Sequence, residues 1–257
     1  MRVKNCVNIV AVLAVTFVFC MSAQAKQFKL LVFSKTAGFH HTSVNQAINA
    51  LTKMSEKHHF DMDWHEDANV FNQKDLAQYD VVMFLLTTGD ILNSSQQQAF
   101  EQFIQSGKGY VGVHSASDTE YDWPWYGKLV GRQFVIHPLI QTAELAVIDR
   151  TFPGLEMMPD VSLWTDEWYQ FGPELSSNLN YILQVDESTY SPQADWGRVK
   201  GDGMGEFHPI AWYQEMDGGR AFYTSLGHLP AVYENSAFLE HLFGGIYWAS
   251  TGKGIRQ

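Results

Sequence analysis

Short continuous apolar runs alternate along the chain with stretches of helical spacing, and this alternation predicts an α/β fold. Phe28–Ser34 (FKLLVFS) reads as a first strand, followed by a loop over Lys35–Thr42. Ser43 then opens a helix with Gln46 three residues on, a capping-box spacing. Val44, Ala47, Ile48, Leu51 and Met54 recur on one face of that helix. Asp61–Trp64 reads as a second strand. Tyr79–Leu86 (YDVVMFLL) is apolar throughout, as expected of a strand covered on both faces. Thr87–Asp90 turns the chain into a helix over Ser95–Ser106, which buries Ala99, Phe100, Phe103 and Ile104 and stops at Gly107. Gly109–Val113 is the next strand. Short connections in this β-α-β order predict a mainly parallel sheet in a flavodoxin-like three-layer sandwich.

Beyond Asp118 the pattern loosens. Further strands are expected over Thr142–Ile148, Tyr181–Val185, Ile210–Tyr213 and Arg220–Thr224, the last entered through a Gly218-Gly219-Arg220 hairpin turn. Trp164–Gly205, rich in turns, aromatics and charges, is expected as an insertion over one end of the sheet. Ser236–Ala249 closes as an amphipathic helix with Leu239, Leu242, Phe243 and Ile246 inward. Neither an internal repeat nor a second linker interrupts the chain, so residues 26–257 read as one domain.

The N-terminus has a different character. Arg2 and Lys4 precede an apolar run from Val7 to Met21, and Ser22-Ala23-Gln24-Ala25 supplies a small-residue cleavage site. This is the pattern of an export leader cut after Ala25, which would place the mature protein in the periplasm or outside the cell, free of the membrane. Both cysteines, Cys6 and Cys20, fall inside that leader. A mature chain without a thiol can hold no disulfide and cannot be a cysteine hydrolase.

A formal net charge of −11 argues against nucleic acid, whose binding needs clustered Lys and Arg. Aromatic residues make up 14% of the chain and include eight tryptophans. Several stand beside carboxylates, a composition suited to a small sugar-like ligand.

The candidate chemistry starts at Gly109–Asp118 (GYVGVHSASD), a buried strand that runs into a turn of small residues. Such strand-to-turn elbows open into the ligand crevice of a parallel sheet and present the nucleophile in some hydrolases. Here the position carries His114. His40 follows the first strand and His228 the last, and strand ends of one sheet face one crevice. Imidazole exchanges protons near neutral pH, so His114 is read as a general acid or base, with His40 and His228 assisting it.

Asp118 and Glu167 are read as the carboxylates that orient a histidine or act as partner acid. Glu120, Trp123, His137, Asp166, Trp168, His208 and Trp212 are read as the wall of the ligand pocket, with the three tryptophans stacking on the ligand. No H-E-x-x-H or paired-cysteine spacing is present. The acid–base reading requires no cofactor, while a divalent metal such as zinc, held by His and Asp from several strand ends, is an alternative.

Longer blocks carry a family resemblance. FSKTAGFHH (Phe33–His41), LLTTGD (Leu85–Asp90) and GVHSASDTEYDWPWYGKLVG (Gly112–Gly131) resemble the trehalose-utilisation, or ThuA-like, family. So do TDEWYQF (Thr165–Phe171), FHPIAW (Phe207–Trp212), GGRAFYTSLGH (Gly218–His228) and HLFGGIYWA (His241–Ala249). The resemblance implies the fold of the class I glutamine amidotransferase group, in which the elbow residue is a nucleophilic cysteine. His114 stands there in this chain, which excludes amidotransfer by that route.

The resemblance also implies a sugar derivative, such as a keto-glycoside, as ligand. The expected function is therefore an exported enzyme acting on a disaccharide derivative by hydrolysis, elimination or hydration. The alternatives are a non-catalytic sugar-binding module and a metal-dependent hydrolase.

Overall fold

The computed structural model describes residues 26–254. The expected leader therefore lies outside the described residues. Among the described residues no helix is long and apolar enough to cross a membrane.

The chain forms an α/β fold around a nine-stranded mixed sheet of order β2-β1-β3-β4-β13-β12-β9-β6-β7. Its first half comprises β1 (Lys29–Phe33), β2 (Asp61–His65), β3 (Val81–Leu85) and β4 (Gly109–Val113). These strands are parallel, and β13 (Gly219–Thr224) extends them by pairing parallel to β4. The second half is antiparallel and adds β12 (His208–Met216), β9 (Asn180–Asp186), β6 (Gln141–Val147) and β7 (Val161–Asp166). Two small ribbons stand apart, β5 (Phe134–Ile136) with β8 (Gln170–Phe171) and β10 (Ala194–Asp195) with β11 (Lys200–Gly201).

Every residue of β3 and β4 is buried, as continuous apolar runs in a covered sheet must be. Side chains alternate across a strand. Accordingly Leu30 and Val32 of β1 join one core, while Leu31 and Phe33 join the other. Helices α1 (Val44–His58) and α5 (Ser236–Thr251) pack into the first core. α3 (Ser94–Gln105) and α4 (Pro124–Val130) pack into the second, and the single turn α2 (Gln73–Leu76) lies beside α3.

Three local expectations change. Ser43 does not cap α1; its hydroxyl donates instead to the carbonyl of Gly227 at 3.3 Å, tying the helix start to the loop after β13. The capping box occurs at α3, between Asn93 and Gln96. The β12–β13 turn is Asp217-Gly218, both at positive φ (52° and 89°), the two-residue hairpin geometry that Asp-Gly favours. Residues 164–205, expected as an insertion, supply β9 and the end of β7 to the main sheet.

Candidate functional site

β4 ends at Val113, and the next residue adopts a conformation that side chains other than glycine seldom take. His114 has φ 51° and begins a short 3₁₀ turn through Ser117. The turn is pinned from behind, because Tyr223 Oη donates to the His114 carbonyl at 2.7 Å. Strain of this kind costs on the order of 1–3 kcal/mol and persists only where the surroundings over-determine it. The elbow expected from the sequence is therefore present, with an imidazole at its apex.

His114 is completely buried. Its Nδ1 lies 2.7 Å from the Ser225 carbonyl, and since a carbonyl can only accept, Nδ1 carries the proton. Nε2 then presents a lone pair, 3.2 Å from His228 Nδ1 and 3.4 Å from Glu167 Oε2. His228 Nδ1 is itself 3.1 Å from the same carboxylate oxygen. His41 completes the group, its ring centroid 4.9 Å from that of His114 and 5.3 Å from that of His228. One donor atom from each of His41, His114, Glu167 and His228 falls within 4.8 Å of the others.

Each member arrives on a different element. His41 comes from the loop after β1, His114 from the end of β4, Glu167 from the end of β7 and His228 from the loop after β13. Asp166 holds the last two in register. Its buried carboxylate accepts the backbone N–H of Gly227 at 2.9 Å, of His228 at 3.2 Å and of Glu167 at 3.0 Å. Gly227, at φ 121°, allows the close turn that this requires.

The electrostatics follow from burial. Desolvation, reinforced by the neighbouring His114 and His228, lowers the His41 pKa to about 2 and keeps that ring neutral. Burial alone would raise Glu167, but the adjacent imidazoles of His114, His228 and His137 outweigh it and hold the carboxyl well below its usual range. Burial likewise opposes charge on His228, yet contact with Glu167 prevails and raises its pKa. Desolvation raises the carboxyls of Asp118 and Asp166.

His137, just beyond β5, stands at the rim. Its Nδ1 is 2.8 Å from the Pro138 carbonyl and 3.2 Å from Glu167 Oε1, so that nitrogen carries the proton. Burial lowers the pKa of this ring. The ring packs edge-on against Trp196 at 4.7 Å, while Phe39 meets His41 in the same way at 4.9 Å. These two aromatics are 51% and 64% exposed, and they offer the flat faces beside the centre.

The sequence reading placed several of these residues correctly and others not. His114, His228, Glu167 and His137 converge as expected. His40 does not join them: it is exposed, with Nδ1 3.3 Å from Thr36 Oγ1, and the adjacent His41 turns inward in its place. Asp118 sits near His114 and His137 and accepts from Tyr121 Oη at 2.7 Å.

Trp123, Trp168 and Trp212 are all buried core and cannot stack on a ligand. Their indole N–H groups donate to Glu101, the Gln141 carbonyl and the Val130 carbonyl. Glu120 is also structural, accepting the backbone N–H of Ile91 and Leu92. His208 is buried in β12, where Nε2 donates to the Tyr169 carbonyl at 2.8 Å and Nδ1 faces Tyr190 and Glu187. Phe39 and His41 are the site residues that sequence reasoning passed over, and Trp196 was read only as one of several tryptophans near charged residues suited to a sugar-like ligand. The signal for His41 was its place beside His40; for Trp196 it was an indole in a polar, glycine-flanked loop.

With the geometry described, comparison with known proteins places the chain. The ThuA family, described as trehalose utilisation, matches residues 29–249. The chain belongs to the ThuA family. Among solved structures, a ThuA-like protein from Bacteroides uniformis superposes with a TM-score of 0.74 at 20% identity, covering 90% of this chain and 96% of that one. One from Parabacteroides merdae gives a TM-score of 0.71 at 20% identity, with coverage of 90% and 93%. A β-galactosidase from Bacillus circulans shares the fold over 32% of its own length and 89% of this chain, at a TM-score of 0.55 and 15% identity. No curated protein matches. At these identities the structural likeness shows the shared fold of ThuA-like chains and nothing of their substrates.

Proposed function

We propose that this ThuA family protein is an enzyme acting on a sugar derivative, a keto-disaccharide or keto-glycoside, and that it works after export. The observation that carries the proposal is the convergence of His41, His114, Glu167 and His228 beside a half-exposed His137, with exposed aromatics on either side. Trehalose utilisation as the family's description supports a sugar ligand. The N-terminal leader pattern supports export. The five parallel strands in the order β2-β1-β3-β4-β13 support a flavodoxin-like frame, in which ligands meet the carboxyl ends of the strands.

A ketone in a sugar ring acidifies the hydrogen on the neighbouring carbon. Removing that proton builds negative charge on the ketone oxygen, and stabilising that charge lowers the barrier. His137 is the base in this reading: its Nδ1 proton is committed to Pro138 and Glu167, which leaves Nε2 as an acceptor. Asp118, with its carboxyl raised by burial, is the acid that protonates the departing glycosidic oxygen. The products are an unsaturated keto-sugar and the released alcohol, and addition of water to the double bond completes hydrolysis. His114, buried with both nitrogens engaged, holds the centre rather than reaching substrate.

The test is turnover of oxidised disaccharides by wild type and by H137Q. The expected result is a loss of kcat of about 100-fold or more in the variant, in line with removal of a general base. Equal turnover by H137Q would overturn the role of His137, and no turnover of any keto-disaccharide by wild type would overturn the proposed substrate class.

A further inference from the structure

We infer that His41, His114, His228 and Glu167 form a binding site for a divalent first-row transition-metal ion. The inference stands on the geometry of the four side chains; what the ion would do to a sugar carbonyl rests on the function proposed above.

The first argument counts protons. His114 gives its only N–H to the Ser225 carbonyl, so Nε2 faces the centre with a lone pair. Glu167 Oε2 faces the same point and can only accept while ionised. A single proton on His228 Nδ1 is then shared between an imidazole nitrogen at 3.2 Å and a carboxylate oxygen at 3.1 Å. His41 adds a third imidazole to a buried space that already holds more acceptors than protons. A cation at that point satisfies all four at once.

The second argument is distance. Metal–ligand bonds of about 2.0–2.1 Å at tetrahedral angles place neighbouring donor atoms about 3.3–3.4 Å apart. The three separations among His114 Nε2, His228 Nδ1 and Glu167 Oε2 are 3.1, 3.2 and 3.4 Å. They describe one face of such a polyhedron, and a ring nitrogen of His41 lies within 4.8 Å of all three.

The third argument lies behind the ligands. Metal-binding histidines are oriented by a hydrogen bond from the other ring nitrogen, and ligating carboxylates are hydrogen-bonded in turn. Ser225 does this for His114, and His137 Nδ1 does it for Glu167 through Oε1. Asp166 anchors the backbone of Glu167 and of His228.

Three imidazoles and one carboxylate, with no thiolate, favour zinc, cobalt, nickel or iron over calcium or magnesium. They leave a divalent ion with one net positive charge. An ion of this kind that gains a further ligand from the His137 side would polarise the ketone oxygen of the substrate as a Lewis acid.

The test uses the full-length protein purified without chelators or a histidine tag. Metal content is measured, the protein is stripped with EDTA, and cobalt(II) chloride is added while visible absorption and heat are recorded. The expected result is one cobalt per chain with a d–d absorption band, displaced by zinc chloride. H41Q and E167Q are each expected to weaken binding at least 10-fold while near-UV circular dichroism stays native. H40A, outside the cluster, is expected to bind as wild type does.

Folded wild-type protein that takes up neither cobalt nor zinc would overturn the inference, as would unchanged affinity in both H41Q and E167Q. Stoichiometric binding without turnover of any keto-disaccharide would leave the metal site standing and sink the sugar proposal. Full turnover by stripped protein would leave the sugar proposal standing and overturn the ion's role as Lewis acid.

Discussion

The carboxylate of Asp166 accepts the backbone N–H of His228 at 3.2 Å, joining the end of one sheet half to the loop that leaves the other. Its neighbour Glu167 points to the imidazoles, so two consecutive acids divide the work: one fixes backbone, the other meets side chains. Asp166→Asn replaces an acceptor with an amide that can turn a donor toward N–H groups. Leaving such buried donors unpaired costs about 1–3 kcal/mol. Urea unfolding of D166N is expected to show a lower midpoint with an unchanged slope.

Gly112, two residues before the elbow, lies under the tyrosines that brace it. A Cβ there would stand 2.6 Å from Tyr110 Oη and 3.0 Å from Tyr223 Cδ2. Both rings are fully buried and cannot move aside. Gly112→Ala is expected to destabilise by about 1–3 kcal/mol through overpacking. Because Tyr223 also holds the His114 carbonyl, the variant should lose activity at temperatures where it is still folded. Thermal melts paired with rate measurements check both.

Trp196 is placed to bind rather than to react. Its ring meets His137 edge-on and is half exposed, so under the proposed function removing it deletes a face for the sugar without touching the proton-transfer groups. W196A is expected to raise KM for a keto-disaccharide several-fold with kcat within about 2-fold of wild type, the pattern of a contact made equally in the ground and transition states. Steady-state kinetics across substrate concentration distinguish this from a fall in kcat.

His241 gives the protein a pH-dependent stability that does not involve the site. The ring is fully buried on α5 with Nε2 3.1 Å from Thr224 Oγ1, and desolvation lowers its pKa from 6.5 to about 3. The folded state therefore keeps the ring neutral where the unfolded chain protonates it. The associated stability is complete above about pH 6.5 and is lost as pH falls toward 3, at about 1.4 kcal/mol per pH unit inside that window. Comparing wild type and H241Q by denaturant unfolding at pH 7 and pH 5 checks this. The gap in stability between them should narrow at the lower pH.

Much of this was legible in the sequence where a residue's environment is set by its own segment. The runs at Val81–Leu85 and Gly109–Val113 read as covered strands and the small residues after Val113 as a tight turn, as the structure has them. What stayed hidden depended on contacts distant in the chain. His40 and His41 are chemically identical and adjacent; the choice between them is made by the loop after β1, not by composition. The same holds for indoles. Trp168 and Trp212 stand among polar residues in the sequence, but their N–H groups reach carbonyls of distant segments, which lets them enter the core. Trp196 has no such partner among its described contacts and stays at the surface. In the second half of the sheet β6, β9 and β12 were foreseen and the edge strand β7 was not, because a strand with one wet face carries a weaker apolar signal than the covered parallel ones.

The four inward-facing groups at the centre belong to segments spread from the first strand's loop to the last strand's loop, so no partly folded fragment can own them. Whatever occupies that point grips both ends of the polypeptide together. Loading it should strengthen the entire domain against heat and proteases, in proportion to the logarithm of occupant concentration over its dissociation constant.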